Sequence, residues 1–207
     1  MERTTNGHGD ALQDAWRKLS ALDPRSIASN AGASPTPGSK RVVLKVMGDE
    51  CTIDLAERKI TCPGRRTDSI GHHLEILILH YLQGAGNAQL ANKPANYREF
   101  EGGALYYSAF KKRTIDPLVR EFGHRPDLLR HVGDAMRAEP LKLGSVGFKV
   151  SFFPKVPVSV VLWLGDDEIP SSANILFDAN AGRILPTEDL SVLGGALVSR
   201  MIKLAMA

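Results

Sequence analysis

Six acidic side chains in the C-terminal part of the chain are of the type that binds metal ions or transfers protons. Three follow a predicted strand, one follows the next predicted strand, and two lie in the first turn of the last predicted helix. Functional groups are often placed at the ends of strands, so convergence of these segments would gather several carboxylates in one cleft. Carboxylates bind hard cations such as Mg²⁺ and Ca²⁺ and divide acid and base roles between them. The six residues are Asp166, Asp167, Glu168, Asp178, Glu188 and Asp189.

Each of these acids also has a structural interpretation. Glu188 and Asp189 would stabilise the start of a helix through its dipole. Asp178 would shape the turn towards Asn180, and residues 165–167 would form a polar hairpin loop. The sequence leaves the metal-binding, acid–base and structural interpretations open.

Two histidines on a predicted helix are candidate ligands for a cofactor. His73 and His80 are seven residues apart, which places them within ~20° of each other around the helix and ~10.5 Å apart along it. One small ion cannot bind both, but either imidazole has the chemistry of an axial ligand to a tetrapyrrole or corrinoid. Tyr81, on the same helix, and Trp163 complete the predicted cofactor-binding set. A histidine at the boundary of the core is the structural alternative.

The two cysteines, Cys51 and Cys62, are predicted to oppose each other on the buried face of a sheet. Opposed strand positions have a Cα separation compatible with a disulfide. In a cytoplasmic protein, however, we expect two free thiols that act as small hydrophobic side chains. The sequence has neither GxxxxGKS/T nor GxGxxG and no nucleophile elbow, which argues against common nucleotide-dependent and hydrolase mechanisms.

Composition and charge limit the classes of function. Hydrophobic residues make up 43% and charged residues 24% of the 207 residues, as in globular domains. The chain has no apolar signal segment at its start and no apolar run of the ~18 residues that a membrane helix needs. We therefore expect a cytoplasmic protein without membrane association.

The charges are distributed unevenly along the chain. Residues 150–190 hold two basic and six acidic residues, a net charge of −4, which leaves +7 for the remainder of a chain whose total is +3. Such asymmetry favours steered association with a partner protein. A nucleic-acid-binding protein would show a longer basic stripe with interleaved aromatic residues, so nucleic acid is not the expected partner.

The elements that must position these residues begin with an N-terminal region, residues 1–40. It is predicted as an amphipathic helix over 10–22 followed by a flexible linker of small residues, glycine and proline. Residues 41–207 are predicted as a single α+β domain.

The first part of that domain, residues 41–62, predicts a three-stranded antiparallel meander with turns at Gly48-Asp49 and Ala56-Glu57. In this register Val46 faces Cys51 and Ile53 faces Ile60. Two polar pairs, Asp54 with Lys59 and Thr52 with Thr61, favour the same register from the other face. The predicted buried face carries Val42, Leu44, Val46, Cys51, Ile53, Leu55, Ile60 and Cys62.

Central helices and a C-terminal sheet follow. The apolar period predicts a helix over 68–83 with Asp68 or Ser69 as its cap. After a looped region, proline positions predict short helices, and from residue 147 the period is that of strands. The predicted short helices are 116–123 and 126–137, the predicted strands are 148–153, 157–164, 173–177 and 183–185, and the last helix is 187–205.

Three segments of the chain together resemble a known family. They are ILILHYLQGAG, YREFEGGALYYSAF and FFPKVPVSVVLWLGDDEIPSSANILFDANAGRILPTEDL. In this order they resemble a prokaryotic family whose domain is of unknown function, number 3786. The pattern of that family centres on a tryptophan, a Gly-Asp-acid-Glu run, Leu-Phe-Asp and Pro-Thr-Glu-Asp, which here are Trp163, Gly165–Glu168, Leu176–Asp178 and Pro186–Asp189. The likeness extends from about Ala15 to Leu197, and it implies no particular activity.

These observations predict an α+β fold with an N-terminal three-stranded meander, central helices and a mostly antiparallel C-terminal sheet backed by the last helix. The favoured function is binding of a small molecule or cofactor in a cleft between Trp163, the acidic loops and the helix that carries His73 and His80. A metal-dependent enzyme that uses the six carboxylates is one alternative. An accessory protein that acts through a partner-protein interface is the other.

Overall fold

The computed structural model of the protein describes residues 6–63 and 71–207. Two antiparallel sheets are formed, one of four strands in the order β1-β2-β3-β4 and one of five strands in the order β5-β9-β8-β7-β6. One continuous hydrophobic core, with members from α1 to α8, joins the two sheets and the helices. The predicted α+β fold is confirmed.

The helices and strands have the following bounds. The helices are α1 (Asn6–Ser20), α2 (Pro24–Ala31), α3 (His72–Gly84), α4 (Gly103–Arg113), α5 (Ile115–Phe122), α6 (Pro126–Ala135), α7 (Ala181–Ile184) and α8 (Thr187–Ala205), with a 3₁₀ turn at Tyr97–Glu99. The strands are β1 (Ser34–Pro35), β2 (Arg41–Val46), β3 (Asp49–Asp54), β4 (Lys59–Thr61), β5 (Pro94–Asn96), β6 (Glu139–Pro140), β7 (Val146–Phe153), β8 (Val156–Trp163) and β9 (Ser172–Asp178).

The N-terminal sheet contains the predicted meander with one change of register. The second hairpin is confirmed, with Asp54 opposite Lys59. The first turn lies one residue earlier than predicted, so Leu44 and not Val46 faces Cys51. Met47 and Gly48 both have positive φ, 51° and 85°, as a two-residue type I′ turn requires. The register moves by two positions, so the same side chains remain buried.

Part of the segment predicted as a flexible linker is helical. Asp23 accepts a hydrogen bond from the backbone N–H of Ser26, and Pro24 occupies the first turn of α2. Both are standard signals of a helix start. Ile27, Ala28 and Ala31 are buried, so packing against the core stabilises a helix of only eight residues.

The middle of the chain contains a helix that the sequence did not predict. α4 begins at Gly103, directly after Gly102 and inside the region that is predicted as looped. A Cβ on Gly103 would lie 1.9 Å from the carbonyl oxygen of Tyr97, so the glycine permits a close backbone approach and not a chain break. The predicted start of α3 differs as well: the helix begins at His72, and the predicted caps Asp68 and Ser69 lie outside the described residues.

The C-terminal sheet is built around β8. This strand pairs with β7 on one side and β9 on the other, antiparallel in both cases. Residues 160–162 are completely buried, as the continuous apolar run predicts. The bounds of α8 agree with the prediction, but the predicted strand over 183–185 is wrong because Arg183 belongs to the short helix α7.

Cys51 and Cys62 form a disulfide with their Cα atoms 4.2 Å apart. The expectation of two free thiols is therefore wrong. The pairing of Thr52 with Thr61 places the two cysteines directly opposite each other, and the closer pairs of an antiparallel ladder have Cα separations of about 4.5 Å. Both side chains are buried, and the bond joins the three-residue edge strand β4 to β3.

Replacement of both cysteines by alanine is expected to lower the free energy of unfolding by about 3 kcal/mol, because the bond closes a short loop in the unfolded chain. Urea denaturation followed by circular dichroism measures the change. Reduction of the wild-type protein with dithiothreitol should produce a similar loss and leave the double variant unaffected. Detection of two free thiols in denatured, unreduced protein would contradict the prediction.

Candidate functional site

The first three predicted metal ligands lie in the loop between β8 and β9. Asp166, Asp167 and Glu168 are all exposed. One carboxylate oxygen of Asp166 accepts hydrogen bonds from the backbone N–H groups of Glu168, at 2.9 Å, and Ile169, at 2.8 Å. These bonds lower the pKa of Asp166 below its ordinary value. Asp166 thus shapes the loop, as the structural interpretation of this run states.

Asp178 lies at the opposite end of β9. Because β8 and β9 are antiparallel, Ser172 is beside the end of β8 and Phe177 is beside its start. Six residues of strand separate Ser172 from Asp178, roughly 20 Å. The carboxylate of Asp178 is buried and accepts hydrogen bonds from the backbone N–H groups of Ala91, Asn92 and Asn180 at 2.8–2.9 Å. It is not brought together with the Asp166 loop.

The last two predicted ligands are at the start of α8. Glu188 is exposed, whereas Asp189 is half-buried and lies 2.7 Å from Nδ1 of His80 on α3. The hydrogen bond with Asp189 raises the pKa of His80 above its ordinary value, although burial acts in the other direction. The pair joins α3 to the first turn of α8. Within residues 6–63 and 71–207, no group of three His, Cys, Asp or Glu residues is arranged to hold a metal ion.

The predicted cofactor-binding residues are also separated. Tyr81 donates a hydrogen bond to the carbonyl of Ala31 and accepts one from the N–H of Lys155, and burial raises its pKa above the ordinary range. Lys155 immediately precedes β8, whereas Trp163 ends that strand. Seven residues of extended chain separate Val156 from Trp163, roughly 23 Å, so Trp163 and Tyr81 do not face one cleft.

The two histidines of the predicted set have different surroundings. His73 is exposed in the first turn of α3, whereas His80 is engaged with Asp189 about two turns further on. An axial ligand needs a ring nitrogen directed into an open cavity. The ring nitrogen Nδ1 of His80 has the carboxylate of Asp189 as its partner, an arrangement that occurs in structural histidines and also in metal-ligating histidines, which bind the metal through the other ring nitrogen.

The β8–β9 loop presents apolar side chains to solvent, a feature that the sequence did not predict. Trp163 is 38%, Leu164 42% and Ile169 65% exposed. We call residues 163–171 the Trp loop. The signal was present in the sequence, since Leu164 and Ile169 flank three acids in a turn region where apolar residues have no core to enter.

Hydrogen bonds hold the Trp loop in one conformation. The N–H of Gly165 donates to Oγ of Ser171 at 2.9 Å, and this hydroxyl donates to the carbonyl of Gly123 at 2.7 Å. The N–H of Leu164 donates to Oγ of Ser145 at 3.0 Å. The loop is therefore attached both to the end of α5 and to the segment that precedes β7.

These features define a class: an antiparallel α+β protein whose central strand ends in an ordered, apolar and acidic loop. The chain belongs to the domain-of-unknown-function family DUF3786, whose profile matches residues 23–200. The resemblance found in the sequence is thereby confirmed.

No curated protein and no solved structure matches the chain significantly. None of the helices in the described parts of the chain combines the length and apolar character that a bilayer crossing requires.

Replacement of Asp189 by asparagine is expected to destabilise the protein more in acid than in base. Folding raises the pKa of His80, so its contribution to stability is complete below about pH 6.5 and is lost as the pH rises through the raised value. The loss of free energy of unfolding should be about 1 kcal/mol larger near pH 6 than near pH 9.

The control for this prediction is the same substitution in a His80→Gln background, where the loss should not vary with pH. Titration of His80 by nuclear magnetic resonance should give a lower pKa in Asp189→Asn than in the wild-type protein. An unchanged pKa would show that the pair is not coupled.

Asp178→Ala is expected to lower the free energy of unfolding by about 2–3 kcal/mol, because three backbone N–H groups lose their acceptor. The matched substitution Asp167→Ala, at an exposed position, should change it by less than about 0.5 kcal/mol. Urea denaturation measures both. Thermal unfolding with and without MgCl₂ tests whether these carboxylates bind a metal ion. If Mg²⁺ stabilises the wild-type protein and either substitution abolishes this effect, the purely structural interpretation of the carboxylates is contradicted.

Proposed function

We propose that this protein is an accessory protein that binds a partner protein through the Trp loop. The observation that carries the proposal is the joint exposure of Trp163, Leu164 and Ile169 in one short loop. Tryptophan is among the residues most enriched at the energetic centres of protein interfaces. An exposed cluster of apolar side chains is a candidate site of association.

The order of the Trp loop supports the same function. A loop that is already fixed by the bonds of Gly165 and Ser171 loses little conformational entropy when a partner binds. A binding loop is expected to present its apolar residues from a rigid scaffold, and this one follows directly from the central strand β8.

The charge of the Trp loop specifies the chemistry of the partner. Asp166, Asp167 and Glu168 give the loop three negative charges beside its apolar side chains. The complementary surface is an apolar pocket with basic residues at its rim. Acids at the rim of an interface mainly accelerate association and exclude acidic partners, whereas the buried apolar anchors determine how slowly the complex dissociates.

The other two functions predicted from the sequence have less support. Small-molecule binding beside Trp163 requires a cleft shared with the helix of His80, but Trp163 ends β8, whereas Tyr81 of that helix contacts Lys155, just before the start of β8. A metal-dependent enzyme requires carboxylates that converge, whereas Asp178 is roughly 20 Å from the start of β9. The Trp loop itself requires no cleft.

The test begins with a photoreactive amino acid, p-benzoylphenylalanine, at position 169 and, as control, at the exposed position 105 of α4. A partner should crosslink at position 169 and not at 105. With that partner purified, Trp163→Ala and Ile169→Ala should each weaken the affinity about tenfold or more in calorimetry. The matched surface substitutions Tyr106→Ala and Leu105→Ala should leave it unchanged.

Two further measurements sharpen the result. Asp167→Asn should reduce the association rate and its dependence on salt while it changes dissociation little. Thermal unfolding must show that Trp163→Ala remains folded, as expected for a side chain at the end of its strand. Identical crosslinks at positions 169 and 105, or a partner affinity insensitive to Trp163→Ala, would contradict the proposed function.

A further inference from the structure

A second feature, independent of the Trp loop, lies on the outward face of the five-stranded sheet. Lys149 on β7, Ser159 on β8 and Leu176 on β9 are directly paired neighbours, and all three are half-buried. Together with Pro157 they form the floor of a cavity of about 470 Å³. Small-molecule sites have volumes of about 300–1,000 Å³, so this cavity has the size of such a site. We call it the sheet-face groove.

One wall of the sheet-face groove is the segment 141–143. Its position is fixed because the N–H of Leu141 donates to the carbonyl of Gly147 and the N–H of Ser145 to that of Leu162. Gly144, with φ of +70°, lies so close to β8 that a Cβ there would be 2.6 Å from the side chain of Val161. The segment is thereby held against the outward face of the sheet.

The opposite wall is the segment 92–94. Asp178 fixes this wall, since its carboxylate accepts the N–H groups of Ala91 and Asn92, and Pro94 lies opposite Asp178 in the β5–β9 ladder. Both walls are thus held in place by hydrogen bonds within the protein itself. A preformed cavity has the lower cost of binding that preorganisation gives.

The lining of the sheet-face groove combines apolar side chains with a net positive charge. Its charged residues are three lysines and one aspartate, and the aspartate is Asp178, which is already satisfied by backbone donors. Lys149 forms an ion pair with Glu139 at 2.7 Å. Lys93 and Lys142 are exposed on the two walls and have no carboxylate partner among the described residues.

We propose that the sheet-face groove binds an amphipathic organic anion, with its apolar body on Pro157 and Leu176 and its anionic group between Lys93 and Lys142. A carboxylate and a phosphate monoester share the chemistry that these ammonium groups recognise. The apolar side chains of Pro157 and Leu176 exclude an anion without an apolar body as the preferred ligand, because such an ion gains nothing from covering them.

The experiment is a titration of isotope-labelled full-length protein with octanoate and with octyl phosphate, followed by amide chemical shifts. Shifts are expected at Leu141, Ser159 and Leu176. The double variant Lys93→Gln/Lys142→Gln should weaken binding about tenfold, as expected for the loss of two charge contacts. The charge-matched control Lys45→Gln/Lys112→Gln, at exposed positions elsewhere, should bind as the wild-type protein does.

A second variant and two control ligands keep the test decisive. Ser159→Trp fills the floor from the outward face and should abolish the shifts while the core remains unchanged. Binding of either octanoate or octyl phosphate in this manner supports the proposal, and the tighter one identifies the anionic group. Equal binding of octylammonium, equal binding of inorganic phosphate alone, or an affinity insensitive to Lys93→Gln/Lys142→Gln would overturn it. None of these outcomes depends on the Trp loop.

Discussion

The antiparallel pairing of β8 with both of its neighbours is the constraint on which the rest of the structure depends. β8 is hydrogen-bonded along its length to β7 and β9, and its inward side chains belong to the core. Because the neighbours run in the opposite direction, the C-terminal ends of β8 and β9 lie at opposite ends of the sheet. Trp163 is consequently at one end of the sheet, and Lys155, which contacts Tyr81, is near the other end.

The same pairing determines what the outward face offers. Side chains alternate between the two faces of a strand, so Ser159 and Leu176 are directed outwards while Val158 and Ile175 enter the core. Ser159 and Leu176 at the centre of that face are only half-buried, and the short segments 92–94 and 141–143 at its two sides form the walls. The groove and the Trp loop therefore derive from one strand, the groove from its outward side chains and the loop from its end.

Elements with strong local signals were predictable from the sequence. The second hairpin was correct because the Asp54–Lys59 pair and the apolar face agreed on one register. The bounds of α8 were correct because a long apolar stripe specifies a helix. The first hairpin was misplaced by one residue because Gly48 fits either position of a two-residue turn. α2 was missed because its small residues resemble a linker until Asp23 is recognised as a cap.

The arrangement of the candidate site was less predictable, since it depends on the relative direction of strands and not on residue types. Acids after two consecutive strands suggest one cleft only if the strands are parallel. The connection between β8 and β9, residues 164–171, is too short for a parallel crossover, so the sequence did contain the argument against convergence of Asp166 and Asp178. The walls of the groove depend on tertiary contacts, which local patterns do not encode.

The disulfide of the N-terminal sheet has a consequence for the order in which the chain assembles. Cys51 and Cys62 are eleven residues apart, and every strand of their sheet lies between residues 34 and 61. This sheet therefore needs no pairing with a later segment to be complete. The other sheet depends on contacts between distant segments, because β5 at residues 94–96 pairs with β9 at residues 172–178. Contacts between distant segments form slowly, so we expect the N-terminal sheet to pair its strands before the C-terminal sheet does.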